Sequence, residues 1–180
     1  MIKHRAFIVA EIPEPVRSQV RALRDSLKTL TAKLPVEITL AGSSGVGPIP
    51  AGTDLSLIER QLERALSGIA PFRARFSGVR SFPNTAIYFL EPNDRSPFDE
   101  LHQKLRGSGI PFLETPWPYN PHCTLRGGEP LSAEETLELA SRPFPDEEFW
   151  INTVSVYQLD ATAFDCKLLC QQTLGNEAQL

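Results

Sequence analysis

The sequence predicts a mixed α+β fold, in which short apolar strands alternate with amphipathic helices. Two observations lead to this class. Strand–helix–strand stretches occur in the same chain as directly paired strands, a mixture that is typical of α+β proteins. In addition, the strand–loop–helix layout of residues 36–69 is repeated over residues 120–141. We therefore expect a rough internal duplication within one domain.

The first half of the chain supplies two strands and two helices. Apolar residues spaced three and four apart define one face of each helix. The predicted elements are a strand over residues 5–12, a helix opened by Pro13-Glu14-Pro15, a strand over residues 36–41, a loop rich in Gly, Ser and Pro over residues 42–52, and a helix from about Asp54. The apolar face of the first helix consists of Val16, Val20, Leu23, Leu27 and Leu30.

The second half adds further strands, and its helices carry start signals. Ser96 before Pro97 predicts an N-cap followed by a proline at the first helical position. Ser132 followed by Glu135 predicts a capping box. The helix that starts near Ser96 is expected to end at Gly107. The predicted strands of this half cover residues 72–79, 85–90, 120–126, 149–159 and 166–173.

Composition and charge limit the classes of partner. The 180 residues carry a net charge of −4 and have a sequence pI of about 5.4, whereas proteins that coat long nucleic acid use many Lys and Arg contacts to phosphates. A short nucleotide or an RNA end needs only a local positive site. No stretch approaches the roughly 20 apolar residues of a membrane helix. We therefore expect neither a membrane nor long nucleic acid as a partner.

Cysteine usage predicts the cellular compartment. The chain has three cysteines and no Cys-x-x-Cys pair, so neither a disulfide framework nor a structural zinc site is expected. This pattern is typical of the reducing cytoplasm. We expect one domain over residues 1–174, a frayed tail over residues 175–180, and a monomer.

Two strands carry a polar stripe on one face. Because side chains alternate along a strand, His122, Thr124 and Arg126 share a face, opposite Cys123 and Leu125. The imidazole can give or take a proton near neutral pH, the hydroxyl can donate to a phosphate oxygen, and the guanidinium can neutralise that phosphate. This combination suits a phosphodiester substrate. The upstream strand has a similar division, with Glu37 and Thr39 on one face and apolar residues on the other.

The segment His122-Cys123-Thr124-Leu125 resembles the His-x-Thr motif of the 2H phosphoesterase superfamily, which includes the bacterial 2'-5' RNA ligase-like proteins. The order of the predicted elements is similar over residues 5–173. The resemblance implies two similar lobes, whose antiparallel sheets face a central cleft with helices on the outside. It also implies a reaction without metal or cofactor, in which one motif histidine is the general base, the other is the general acid, and both threonines hold the phosphate.

The upstream motif departs from this pattern, because Glu37 stands where the family has a histidine, while Thr39 is retained. In one interpretation Glu37 is the general base and His122 the general acid, since burial can raise a carboxyl pKa towards neutrality. In the other, the catalytic site is lost and the domain binds a ligand without turnover. The sequence leaves both interpretations open.

Further candidates lie around the two motifs. Arg126 is predicted to contact the substrate phosphate. Trp117 and Tyr119 could stack a nucleobase, or their segment could form a rigid, proline-bracketed rim. Ser43, also predicted to contact substrate, belongs to the loop over residues 42–47, whose N–H groups form either a phosphate nest or a plain flexible loop. His102 is expected to be a surface or half-buried residue of its helix.

The motif residues and the resemblance to this superfamily together imply a metal-independent phosphoesterase that acts on 2',3'-cyclic or 2',5'-linked nucleotides or RNA ends. Its expected catalytic residues are His122, Thr124, Glu37 and Thr39. The expected partner is a nucleotide or a short RNA with a phosphodiester end. The alternative function is that of a catalytically inactive module that binds nucleotides or RNA ends.

Overall fold

The computed structural model describes residues 1–27, 33–163 and 165–175. Its elements follow the predicted order, with strands and helices mixed along the chain. They are β1 (Ala6–Glu11), α1 (Val16–Ser26), β2 (Glu37–Ala41), α2 (Leu55–Leu66), β3 (Phe72–Ala74), β4 (Phe76–Ser81), β5 (Tyr88–Pro92), α3 (Ser96–Arg106), β6 (Cys123–Arg126), α4 (Ala133–Ser141), β7 (Phe149–Ile151), β8 (Thr153–Asp160) and β9 (Asp165–Thr173).

The strands form antiparallel sheets, which confirms the predicted α+β class. A four-stranded sheet has the order β2-β1-β8-β9, a three-stranded sheet has the order β4-β5-β6, and β3 pairs with β7 in a short ribbon. β2 is followed by α2 and β6 by α4, as the duplicated layout predicts. Within the described residues, no helix has the length and apolar character needed to cross a membrane.

Two of the predicted strands are broken at a single residue. The segment over residues 72–79 is interrupted at Arg75 and the segment over residues 149–159 at Asn152. The carbonyl of Arg75 accepts the N–H of Asn93 at 2.8 Å, and the carbonyl of Asn152 accepts the N–H of Leu174 at 2.8 Å. At each break the chain passes from the short ribbon into a larger sheet, from β3 into β4 and from β7 into β8.

The helix starts follow the predicted capping chemistry with one exception. Ser132 and Glu135 form the predicted capping box, and the side chain of Asp54 accepts the N–H of Ser56 at the start of α2. The predicted N-cap at Ser96 is wrong, because the Asp94 carboxylate two residues earlier accepts the N–H of Ser96 at 2.9 Å and draws it into the helix. The predicted helical position Leu30 lies outside the described residues.

A buried arginine on α1 connects the two motif strands. Arg24 is 1% exposed and lies on the same helix face as Val16 and Val20. Its Nε donates to the carbonyl of Thr124 at 2.9 Å, its Nη1 donates to the carbonyls of Leu34 and Pro35, each at 3.0 Å, and its Nη2 lies 3.9 Å from the Cys123 sulfur atom. The guanidinium therefore binds β6 and the segment that leads into β2.

The two motif strands lie side by side although they belong to different sheets. β2 is an edge strand of the four-stranded sheet and β6 is an edge strand of the three-stranded sheet. The strands are in contact. The residues that alternate with the polar stripes are fully buried, as predicted from the two strand patterns: Ile38, Leu40, Cys123 and Leu125.

We expect the Arg24→Ala substitution to lower the free energy of unfolding by about 3 kcal/mol, because each buried carbonyl left without a donor costs about 1–3 kcal/mol. Urea denaturation followed by circular dichroism measures this change. The matched control is Arg21→Ala, which removes an exposed arginine from the same helix. If the two variants were equally stable, the guanidinium would not hold the motif strands together.

Candidate active site

His122 lies immediately before β6 and is 8% exposed. Its Nδ1 is 2.7 Å from the carbonyl of Asn120. A carbonyl oxygen only accepts hydrogen bonds, so Nδ1 carries a hydrogen and the neutral ring keeps its lone pair on Nε2. The rings of Phe82 and Phe89 meet the imidazole edge-on, with centroid distances of 5.0 and 5.1 Å. β6 starts at Cys123, three residues later than the predicted strand start at residue 120.

The environment of His122 favours the neutral imidazole. Burial, partly offset by the hydrogen bond to the carbonyl of Asn120, lowers the pKa of His122 below its ordinary value. Near neutral pH the imidazole therefore has an unprotonated Nε2. That nitrogen is ready to accept a proton.

Glu37 occupies the first position of β2 and keeps some solvent-exposed surface. Thr39 Oγ1 donates to its carboxylate oxygens at 3.2 and 3.1 Å. Burial of the carboxyl group raises the pKa of Glu37 to about 7, although the Arg24 guanidinium and the Thr39 hydroxyl oppose the change. The nearby carboxylate of Glu11, its partner across the strand pair, also raises this pKa. A large fraction of Glu37 therefore carries a proton at neutral pH.

Thr124 and Arg126 lie on the half-buried face of β6. The Arg126 guanidinium is anchored by the protein: Nη1 donates to the carbonyl of Leu27 at 3.3 Å and Nη2 donates to the carbonyl of Glu129 at 3.1 Å. Its Nε is buried and makes no hydrogen bond within the described residues. None of the described ion pairs joins Arg126 to Glu37.

The loop after β2 is fastened to the segment that precedes β6. The N–H of Gly45 donates to the carbonyl of Trp117 at 2.8 Å, and the N–H of Gly47 donates to the carbonyl of Leu113 at 2.9 Å. The hydroxyl of Thr115 donates to the carbonyl of Ser43 at 3.1 Å. The phosphate-nest interpretation is therefore wrong for Gly45 and Gly47, since their N–H groups already have acceptors, and the loop is tied down rather than free.

The aromatic pair before the second motif is divided between two environments. The Tyr119 ring stacks on His102, with centroids 3.9 Å apart and an angle of 4° between the planes. Its hydroxyl donates to the carbonyl of Thr39 at 3.2 Å. Trp117, in contrast, is 67% exposed. One face of Tyr119 is therefore already occupied, while the Trp117 indole is open to solvent.

His102 is 2% exposed, so the expectation of a surface or half-buried residue is wrong. Its Nδ1 donates to the carbonyl of Leu40 at 2.7 Å, because α3 packs directly against β2. Burial lowers the pKa of His102. The imidazole faces a cavity beside α3 whose described lining contains neither Glu37 nor His122. Across the described ranges of the chain, no three His, Cys, Asp or Glu side chains converge as a metal-binding group.

Comparison with known proteins agrees with this architecture. The sequence matches the 2'-5' RNA ligase superfamily over residues 12–163. TT0787 of Thermus thermophilus has a TM-score of 0.71 and 20% identity, over 97% of this chain and 100% of that chain. E. coli LigT complexed with 3'-AMP has a TM-score of 0.63 and 16% identity, over 96% and 99%. LigT complexed with phosphate has a TM-score of 0.67 and 14% identity, over 98% and 100%. A search of curated proteins finds no match.

The antiparallel sheets, the four helices and the similarity to these structures define a fold of the 2H phosphoesterase class. The match over residues 12–163 covers most of the chain. This chain belongs to the 2'-5' RNA ligase superfamily.

We expect Glu37 to make the folded state less stable as the pH rises, because its pKa of about 7 lies above the ordinary value of 4.5. Between these values the folded state binds more protons than the unfolded state, so the stabilisation is complete below the ordinary pKa and is lost as the pH rises through the folded-state pKa. Relative to Glu37→Gln, the wild type should lose about 2 kcal/mol of unfolding free energy between about pH 5 and about pH 8.

Urea denaturation of both proteins at several pH values measures this difference, and a carbon-13 NMR titration of the Glu37 carboxyl measures its pKa directly. A difference that stays constant over the whole pH range would contradict the raised pKa.

Proposed function

We propose that this protein is a metal-independent phosphoesterase that acts on 2',3'-cyclic or 2',5'-linked nucleotides or RNA ends. The observation that carries the proposal is the adjacency of two edge strands over a shared apolar core. One strand bears Glu37 and Thr39, and the other bears Thr124 and directly follows His122. Structures of the related fold of E. coli LigT with 3'-AMP and with phosphate support a substrate of this chemical class.

In the proposed reaction, His122 is the general base and Glu37 is the general acid. This is the reverse of the assignment considered from the sequence, and the directions of the two pKa shifts support it. The lowered pKa of His122 leaves Nε2 unprotonated at neutral pH, whereas the raised pKa of Glu37 keeps a proton on the carboxyl group. The opposite assignment requires a charged imidazole and a charged carboxylate, which burial disfavours at both residues.

The proton transfers balance in a single displacement. A water oxygen attacks phosphorus while His122 Nε2 takes a proton from it. The bond from phosphorus to the ribose oxygen breaks, and the Glu37 carboxyl gives its proton to that oxygen. The product of a cyclic substrate is a phosphomonoester beside a free hydroxyl. An in-line displacement of this kind requires the acid and the base on opposite sides of the phosphate.

The charge of the site suits a phosphate better when Glu37 is protonated. A neutral carboxyl does not repel the phosphodiester, whereas a carboxylate would. We assign the Thr124 hydroxyl and Arg126 to the phosphate, and Thr39 to the orientation of the Glu37 carboxyl, to which its hydroxyl already donates. Trp117, Tyr119 and Ser43 are proposed to line the approach of the substrate.

The proposed molecule is a monomer of the cytoplasm. Its three cysteines are unpaired, which supports a reducing compartment. The proposed ligand is a nucleotide or a short RNA rather than long nucleic acid, in keeping with the net charge of −4.

We expect the wild type to hydrolyse 2',3'-cyclic nucleotides in the presence of EDTA, and His122→Ala to lose activity by about a hundredfold or more, as expected for loss of a general base. A steady-state assay across the four bases measures both rates. The control is His4→Ala, which removes an exposed imidazole. No turnover by the wild type at high enzyme concentration would favour the inactive nucleotide or RNA-end binding module.

Substrates with different leaving groups distinguish the proposed general acid, Glu37, from the proposed general base, His122. A nitrophenolate leaves without a proton, so an aryl phosphodiester does not need the general acid. We expect Glu37→Gln to lose about a hundredfold in kcat on a cyclic nucleotide but only a few-fold on a 4-nitrophenyl ester, and His122→Ala to lose about a hundredfold on both.

Stopped or continuous assays of the two substrates with the two variants measure the four ratios. Glu59→Gln, an exposed carboxylate on α2, is the matched control. The mirror-image result, in which the aryl ester rescues His122→Ala and not Glu37→Gln, would make Glu37 the base.

A further inference from the structure

The strand β2 contains a β-bulge directly after Thr39. Thr39 and Ala41 pair with consecutive residues of β1, so Leu40 between them is an extra residue in the register. A bulge bends its strand and changes the direction of the neighbouring side chains, and bulges are frequent beside active sites. The direction of the Thr39 side chain therefore depends on how the bulge is held.

Two side chains from outside the sheet hold this bulge. The hydroxyl of Tyr119 donates to the carbonyl of Thr39 at 3.2 Å, and Nδ1 of His102 donates to the carbonyl of Leu40 at 2.7 Å. The two rings stack, with centroids 3.9 Å apart and an angle of 4° between their planes. Consecutive carbonyls of β2 are thus bound by one stacked pair, which we call the His102–Tyr119 clamp.

The clamp is itself packed and anchored. His102 is 2% exposed, and a Cβ at Gly45 would collide with the edge of its imidazole, so the loop after β2 closes over that ring. The carbonyl of Tyr119 accepts from Arg95 Nη2 at 3.1 Å, and the same guanidinium donates to both carboxylate oxygens of Asp99 at 2.8 and 3.0 Å. Burial raises the pKa of Tyr119 well above its usual range, so its hydroxyl stays protonated and remains a donor.

A chain of hydrogen bonds runs from the clamp to the proposed general acid. Thr39 accepts the Tyr119 hydroxyl through its carbonyl, and its own hydroxyl lies 3.2 and 3.1 Å from the two carboxyl oxygens of Glu37. Without the Tyr119 hydroxyl, the backbone at the bulge loses one of its two side-chain donors. The Thr39 hydroxyl is then held less firmly against the Glu37 carboxyl.

We propose that the His102–Tyr119 clamp is a positioning device, which fixes the bulge of β2 so that the Thr39 hydroxyl orients the Glu37 carboxyl. Tyr119 and His102 are positioning residues, because they act on the acid through Thr39. This role of Tyr119 belongs to its hydroxyl and is separate from the lining of the substrate approach by its ring. The catalytic consequence rests on the proposed function, whereas the effect on Glu37 can be measured without substrate.

The clamp acts on the proposed acid and not on the proposed base. The carbonyl of Asn120 holds the His122 imidazole at 2.7 Å, and the preceding carbonyl, that of Tyr119, is bound by Arg95. A Tyr119→Phe substitution removes neither of these bonds and keeps the aromatic ring. We therefore expect it to disturb Glu37 and to leave His122 in place.

The test follows the Glu37 carboxyl by carbon-13 NMR in Tyr119→Phe. Besides burial, the groups that act on the pKa of Glu37 are Arg24, Thr39 and Glu11, and the substitution replaces none of them. A hydrogen bond to the charged form lowers a carboxyl pKa. Because a loosened Thr39 hydroxyl gives less of this stabilisation, we expect the pKa of Glu37 to rise by roughly half a unit.

Two further variants show whether the effect passes through Thr39. In Thr39→Val, which lacks the hydroxyl, adding Tyr119→Phe should change the Glu37 pKa by less than about 0.2 unit, as expected when two residues act in one chain of contacts. The matched control is Tyr88→Phe, which removes a tyrosine hydroxyl 3.0 Å from the hydroxyl of Thr136 on α4 and should leave that pKa unchanged.

Three results would overturn the clamp. The first is a Glu37 pKa that is unchanged or lowered in Tyr119→Phe. The second is an equal rise with and without the Thr39 hydroxyl, since the effect would then not pass through Thr39. The third is a similar rise in Tyr88→Phe.

The catalytic consequence is a separate measurement. In Tyr119→Phe we expect kcat on a 2',3'-cyclic nucleotide to fall roughly tenfold, as for loss of one neutral hydrogen bond, with KM unchanged. We expect little effect on the 4-nitrophenyl ester, which needs no general acid. A rise in KM on both substrates, with kcat unchanged, would make Tyr119 a substrate contact and overturn its positioning role.

The two measurements distinguish failure of the clamp from failure of the proposed function. A Glu37 pKa that rises in Tyr119→Phe, in a protein that hydrolyses no cyclic nucleotide, would support the clamp and contradict the proposed function. Turnover of cyclic nucleotides, with a Glu37 pKa that Tyr119→Phe does not change, would leave the proposed function standing and overturn the clamp.

Discussion

The candidate site depends on the buried guanidinium of Arg24, because the two strands that carry the polar residues belong to different sheets. An edge strand exposes unpaired backbone groups that must find partners elsewhere. Arg24 supplies donors to the carbonyl of Thr124 on one edge and to those of Leu34 and Pro35 before the other. Its planar fork of donors suits several acceptors at once. A single side chain from α1 thus fixes the spacing of strands that have no continuous ladder between them.

The same guanidinium takes part in the electrostatic balance of the site. Burial raises the pKa of Glu37, while Arg24 and the Thr39 hydroxyl lower it, and the result is a value of about 7. This balance gives the carboxyl group of Glu37 a pKa close to the ordinary pKa of an imidazole. The two groups differ in charge when protonated, but they exchange protons in the same pH range. The environment, rather than the residue type, decides whether proton transfer is available.

The local features of the fold were predictable from sequence, whereas the long-range ones were not. Alternation identified the buried faces around Ile38 and Leu125, and the capping box at Ser132 follows from short-range chemistry. The burial of Arg24 and His102 could not be predicted, because each depends on a carbonyl partner that lies 100 or 62 residues away in the chain and that only the fold brings close. The pKa values of Glu37 and His122 likewise depend on how deeply the complete fold buries the two side chains.

The breaks at Arg75 and Asn152 have a mechanical consequence. The short ribbon of β3 and β7 continues through one residue into β4 of the three-stranded sheet and through one residue into β8 of the four-stranded sheet. A single residue offers little slack, so a displacement of either sheet is passed to the other through the backbone itself. The ribbon therefore links the two larger sheets, and it limits how far β2 and β6, the strands that carry Glu37 and Thr124, can move apart.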